Sequence, residues 1–136
     1  MICTINVGGL DATRKDLLVP AEFGLRQAIG DSLGVGGIFR AARSIPVLLD
    51  IAHEMERLCP EALLINFTNP SGLVTAGIHR ATGIEAIGLC NIPLNLQREI
   101  AAILEVPESE VVILGNGIAG VTTALAGMRQ TAHVLE

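Results

Sequence analysis

The segment at 63–74 reads LLINFTNPSGLV. It opens as an apolar run and ends in Asn66, Thr68 and Asn69, directly before Pro70. Uncharged side chains that both donate and accept hydrogen bonds suit sugar hydroxyls or the ribose of a nicotinamide cofactor. Asn69 also suits the N-cap of a helix with Pro70 at its first position, and capping does not exclude ligand contact. Two further polar junctions are Val7, Gly8 and Gly9 after ICTIN, and Cys90 with Asn91 in GLCNIP. A fourth lies in VVILGNGIAG, where Gly115, Gly117 and Gly120 have G-x-G-x-x-G spacing after an apolar run. Glu136 follows Gly115 by about twenty residues, as in a dinucleotide fingerprint. Such glycines let a pyrophosphate approach a helix N-terminus, and the acid holds a ribose hydroxyl. The other reading of GNGIAG is a tight turn with close helix packing.

These junctions need elements to hold them. ICTINV reads as a short strand stopped by Gly8 and Gly9. Residues 11–37 are polar and broken by glycines, and read as loop with short helical pieces. A helix is expected over 38–58, where Leu48, Ile51, Ala52, Met55, Leu58 and Cys59 recur on one face. Pro46 predicts a kink or a late start. His53, Glu54 and Arg57 fall on the opposite, solvated face. Residues 62–67 read as a buried strand, 70–82 as a helix and 85–89 as a strand. A third helix follows Pro93, with Leu94, Leu96, Ile100, Ala101 and Leu104 apolar. Residues 111–114 read as a strand, 121–130 as a helix and 132–136 as a last strand. Alternating strands and helices predict a parallel α/β sheet, in one domain over 1–136. Ligands of such sheets bind outside the carboxyl ends of the strands. The three polar corners would then line one crevice if their strands are neighbours.

Composition narrows the partners. The net charge of −5 offers no basic patch for nucleic acid. No apolar run reaches about 18 residues, so no membrane span is expected. Cys3, Cys59 and Cys90 form no paired spacing and read as reduced thiols of a cytoplasmic protein. Cys90 by itself reads as a buried, inert thiol. With no Tyr in the chain, no phenol serves as a base.

GGIFRAARSIPVLLDIAHEMERLCPEALLINFTNPSGLVT, followed by IGLCNIP, resembles the NAD- and metal-dependent glycoside hydrolases of family 4, most closely their 6-phospho-β-glucosidase branch. The resemblance implies a Rossmann-like parallel sheet with flanking helices, of the lactate and malate dehydrogenase type. It implies chemistry outside the two-carboxylate scheme of ordinary glycosidases. NAD takes a hydride from C3 of the sugar, a base removes the acidified C2 proton, and a divalent metal, usually manganese, stabilises the charge. The C1 leaving group is then expelled. By the same resemblance Asn69 and Asn91 contact a sugar phosphate, and Cys90 is a metal ligand. Val7, Gly8, Gly9 and Asn69 lie beside the cofactor. Asn91 favours the β branch, since the α-glucosidase branch has Asp there.

The chain departs from the family pattern at four places. The glycine-rich NAD loop expected ahead of this segment is not in it. Asn6 stands where family members usually have the Arg assigned to the substrate phosphate, and a neutral amide cannot replace a guanidinium fork. Residues Gly117, Ile118, Ala119 and Gly120 stand where Gly-Leu-Asn-His is usual, so the second metal ligand is missing. The C-terminal half with the catalytic Tyr is absent. Residues 1–110 are therefore expected as a family 4-like segment, incomplete relative to the family. Residues 111–136 are expected as a strand–GNGIAG–helix–strand unit that binds NAD or FAD through Gly115, Gly117, Gly120 and Glu136. The expected function is glycoside hydrolysis with little or no activity of this chain alone, and a homo-oligomeric state. The alternative is a non-catalytic dinucleotide-binding module or interaction protein.

Overall fold

The computed structural model describes residues 1–114 and 125–128. These fall into two units, residues 1–89 and 90–136. In the first, β1 (Ile2–Cys3), β2 (Leu64–Asn66) and β3 (Ala86–Gly88) form a parallel sheet in that order. Ile2 pairs with Ile65, and Asn66 with Gly88. Short apolar runs without a helical period fold as strands, and burial against helices removes the need for alternation. All three strands point the same way, so residues 4–9, 67–70 and 89 leave the sheet at one edge. The neighbouring strands that the crevice requires are therefore present in this unit.

Two helices lie between β1 and β2, α1 (Gly9–Glu22) and α2 (Gly34–Leu58). A third, α3 (Ser71–Ala81), lies between β2 and β3. The core is Cys3, Leu48, Ala52, Met55, Leu64, Val74, Ile78, Ile84 and Ala86. The apolar stripe of α2 is real over Leu48, Ala52 and Met55, but Leu58 and Cys59 are exposed at its end. His53, Glu54 and Arg57 are solvated, as their spacing predicts.

Four expectations change. Residues 11–22, expected as loop with short helical pieces, belong to the single 14-residue helix α1. Pro20 cannot donate to the Asp16 carbonyl, but the Gln27 side-chain amide does so at 3.1 Å, which satisfies the acceptor the proline orphans. Arg43 of α2 then clamps buried Asp16 with two bonds of 2.8 and 2.6 Å. This bidentate pair raises the pKa of Arg43, through its hydrogen bond to Asp16 first. The second change is that α2 starts at Gly34 and runs on through Pro46, so there is no late start. Third, α3 begins at Ser71 with Pro70 as its N-cap residue and no side-chain cap, so Asn69 does not cap it.

The fourth lies in the second unit. It has α4 (Ile92–Leu104), a single 3₁₀ turn at Glu108–Glu110, and the strands β4 (Val111–Leu114) and β5 (Leu125–Met128). The strands pair antiparallel, Val111 with Met128 and Leu114 with Leu125. Residues 125–128, expected inside a helix, are thus a strand of a ribbon. Leu125 and Met128 flank small residues with no helix-defining apolar stripe, and pairing with the apolar run VVIL prevails. Gln97 on α4 donates to the carbonyls of Glu108 and Val111, at 2.9 and 2.7 Å, and ties the helix to the strand.

Candidate functional site

At the carboxyl edge of the sheet the chain commits most of the NFTN side chains to structure. Asn66 is fully buried. Its Oδ1 accepts from the Thr68 amide at 2.9 Å, and its Nδ2 faces Thr68 O, Ser71 O and Thr75 Oγ1. Thr68 Oγ1 accepts from the Ile5 amide at 3.0 Å, which joins the β2 corner to the end of β1. Both side chains are spent on buried backbone groups, which would otherwise carry a desolvation cost.

Asn69 does something else. Its Nδ2 donates to Asp31 Oδ2 at 2.9 Å, and Ser32 Oγ donates to the other Asp31 oxygen at 2.9 Å. A carboxylate only accepts, so the amide nitrogen must face it and Oδ1 is turned away as a free acceptor. The Asn69 carbonyl accepts from Arg40 Nε at 3.1 Å, and Arg40 Nη1 donates to Thr13 Oγ1 at 3.3 Å. Arg40 is 8% exposed and makes no ion pair among the described residues.

Asp31 is held by close backbone packing. A Cβ at Gly36 would lie 2.7 Å from the Gly30 carbonyl oxygen, and one at Gly37 would lie 2.9 Å from the Ser32 carbonyl carbon. The first turn of α2 can meet the loop at 30–32 only because both positions are glycine.

Together these residues wall a cavity of about 430 Å³, lined by Asn6, Leu10, Thr13, Leu17, Ala28, Ile29, Gly30, Asp31 and Arg40. Its volume and its mix of apolar wall with few polar groups are those of a small-molecule site. It lies where parallel sheets bind ligands. None of the expected site residues lines it. Asn69 stands behind Asp31, and Gly8 and Gly9 sit at the head of α1. There Gly8 and Gly9 have φ of 84° and 61°, both left-handed. A Cβ at Gly8 would lie 2.6 Å from Ala12 Cβ, whereas at Gly9 it would meet open space. That open backbone fits the close approach of a cofactor. Sequence reasoning missed Asp31, Arg40 and Thr13. Thr13 and Asp31 lay in a segment read mostly as loop, and Arg40 lay in the expected helix over 38–58, inside the conspicuous GGIFRAARSIP run.

Cys90 and Asn91 belong to the second unit. Cys90 is an exposed free thiol, not a buried one, and Asn91 is the N-cap residue of α4 without a side-chain cap. Among the described residues no three His, Cys, Asp or Glu side chains converge on a metal position. One thiol does not make a divalent-cation site. Gly115, Gly117, Gly120 and Glu136 lie outside the described residues.

A sequence model described as the family 4 glycosyl hydrolases matches residues 1–106. An α-galactosidase of Bacillus subtilis is 49% identical over 92 residues, 67% of this chain and 21% of that protein. A 6-phospho-β-glucosidase of Escherichia coli is 40% identical over 107 residues, 78% of this chain and 23% of that protein. Among solved structures, a Thermotoga maritima 6-phospho-β-glucosidase with manganese, NAD⁺ and glucose-6-phosphate superposes with a TM-score of 0.71 at 31% identity. The match covers 82% of this chain and 28% of that one. The chain thus spans less than a third of the length of these proteins.

Proposed function

This chain belongs to the family 4 glycosyl hydrolases, and we propose that it serves NAD-dependent hydrolysis of a small glycoside. The observation that supports this most is the polar cavity at the carboxyl edge of the sheet, with Asn69, Asp31 and Arg40 in one hydrogen-bonded group. Val7, Gly8, Gly9 and Asn69 are the residues we assign to NAD, which would supply the hydride acceptor and donor. Asn69 Oδ1 is free to accept from a ligand hydroxyl or amide. Asp31 accepts from sugar hydroxyls, and Arg40 donates to sugar oxygens. Leu10, Leu17 and Ile29 supply the apolar part of the wall beside these groups.

A manganese ion belongs to the same reading, with Cys90 as one ligand and Asn91 beside the sugar. The described residues do not by themselves complete that ion's shell. Two glycosyl classes stand open. A 6-phospho-β-glucoside follows the NFTNPSG and GLCNIP motifs and the relative from Escherichia coli. An unphosphorylated glycoside follows the neutral Asn6 and the relative named α-galactosidase. A homo-oligomer and a cytoplasmic location are part of the proposal; among the described residues no helix is long and apolar enough to cross a membrane.

Titration with NAD, followed by amide NMR, tests the reading. The amides of Val7, Gly8, Gly9 and Asn69 should shift with saturation, and Asn69→Ala should weaken binding several-fold. A spectrum unmoved by NAD would overturn it for this chain. No hydrolysis of an aryl 6-phospho-β-glucoside is expected from these 136 residues, even with NAD, manganese and reductant, because groups that act as a unit lose nearly everything when one is missing.

A further inference from the structure

We infer that Asp31 is a positioning residue: it fixes the Asn69 carboxamide with its oxygen outward, so that the ligand group meeting that oxygen is a hydrogen-bond donor. The inference rests on the glycosidase reading, which assigns Asn69 to NAD and sugar, and adds what sets that residue.

An asparagine side chain has two ends of opposite sense. Its oxygen accepts, its nitrogen donates, and a half-turn of the amide exchanges them. Asn69 is half-buried, and one end is committed. Nδ2 donates to Asp31 Oδ2 at 2.9 Å, and Oδ1 meets no partner among the described residues. The turned state would set Oδ1 against a carboxylate oxygen with no proton between two acceptors. While Asp31 is ionised, the end of the amide turned away from it is the oxygen.

Asp31 is itself held. Ser32 Oγ donates to its Oδ1 at 2.9 Å. Gly36 and Gly37 let the first turn of α2 pack against the loop that carries it. The main chain of Asn69 is anchored separately, where its carbonyl accepts from buried Arg40 at 3.1 Å. With backbone and amide nitrogen both fixed, Oδ1 is a placed acceptor. It suits the carboxamide N–H of a nicotinamide or a sugar hydroxyl. Each Asp31 oxygen keeps a second lone pair, so this role and direct contact with a sugar are compatible.

The test uses the 136-residue chain at neutral pH, in two arms. One sets NAD against its 3-acetylpyridine analogue, whose acetyl group accepts but does not donate. The other sets methyl hexosides against deoxyfluoro counterparts, in which fluorine replaces a donating hydroxyl. In at least one arm the donor-bearing ligand should bind about fivefold or more tightly, and that arm tells which source meets Oδ1. Asp31→Ala frees the amide to turn and should bring the ratio close to one. Asp31→Asn, whose oxygen still accepts from Nδ2, should keep most of it. Ser32→Ala, which loosens Asp31 without removing it, should give an intermediate ratio. In an Asn69→Ala background Asp31→Ala should change the ratio no further, because its effect runs through Asn69. The Asn69 Nδ2 signals report without ligand: one hydrogen should sit downfield in the natural chain and lose that shift in Asp31→Ala. No preference in either arm, a preference that Asp31→Ala leaves unchanged, or unshifted Nδ2 hydrogens in the natural chain would overturn the inference. NAD binding would then still leave the glycosidase reading standing. A folded chain that binds neither NAD nor any hexoside would overturn both.

Discussion

The parallel sheet has two ends, and each carries a cavity of similar size. At the amino end a space of about 400 Å³ is lined by Met1, Asp50, Ile51, Glu54, Met55, Leu58 and Cys59. At the carboxyl end the space of about 430 Å³ is lined by Asn6, Thr13, Asp31 and Arg40 among apolar side chains. Volume does not separate them. What differs is how the polar groups are held. At the amino end Asp50 and Glu54 are solvated positions on α2 beside a greasy floor. At the carboxyl end Arg40, Asp31, Asn69 and Thr13 are cross-linked from α1, α2 and two loops. Fixed polar groups lose little entropy on meeting a ligand, and that preorganisation supports the carboxyl end as the proposed site.

The wall of that site depends first on the α1–α2 clamp. Asp16 is 2% exposed, and Arg43 Nε is buried without a partner. Asp16→Asn would leave the guanidinium without its counter-charge, and urea denaturation should show a loss of about 3 kcal/mol. Pairing it with Arg43→Gln should recover part of that loss. A loss below about 1 kcal/mol would mean the clamp is not what holds α1 in place.

That clamp also shows what the sequence could and could not say. β2 and β3 were legible because apolar runs are bounded by polar junctions at both ends. α2 was legible from its period, and its start lay four residues earlier because Gly34, Gly36 and Gly37 obscure a helix. α1 was not legible. Its support comes from Gln27 and Arg43, which are contacts made across the fold and leave no local period. The family and its corner were readable from NFTNPSG and GLCNIP. The use of the corner was not, because whether an Asn caps a helix or faces an Asp is decided by where the loop at 30–32 passes. Of the expected helix at 121–130 only residues 125–128 are described, and they are strand for a related reason: small residues take the state their partner strand offers.

A smaller effect is expected at Asn69. Asn69→Ala removes a donor to a carboxylate and should cost about 1–2 kcal/mol. Asn69→Ser should not restore it, since no cap bond exists to replace and a hydroxyl is too short for the place of the amide. Full recovery with Ser in thermal denaturation would return Asn69 to the role of a cap.

The mildest effect belongs to the amino end. Glu56 Oε1 accepts from the Gly83 amide, and Oε2 meets His53 at 3.0 Å. The Gly83 bond, then His53, hold the Glu56 carboxyl below its ordinary pKa. Its stabilising contribution is therefore complete above the unfolded-state pKa and is lost as pH falls through the lower, folded-state value. Between about pH 6 and about pH 3 the natural chain should lose more melting temperature than Glu56→Gln. Equal losses would show that the contact contributes nothing. The carboxyl-end cavity should be unaffected by Glu56→Gln.

The most direct test of the account is a map of where small ligands bind on the sheet. Amide NMR of the chain, titrated with NAD and then with a methyl hexoside, should move a contiguous set at residues 6–10, 13, 29–31, 40 and 69. It should leave residues 50–59 unchanged. Shifts clustered at 50–59, with the carboxyl-end signals still, would contradict the account and place the site at the apolar end of the sheet.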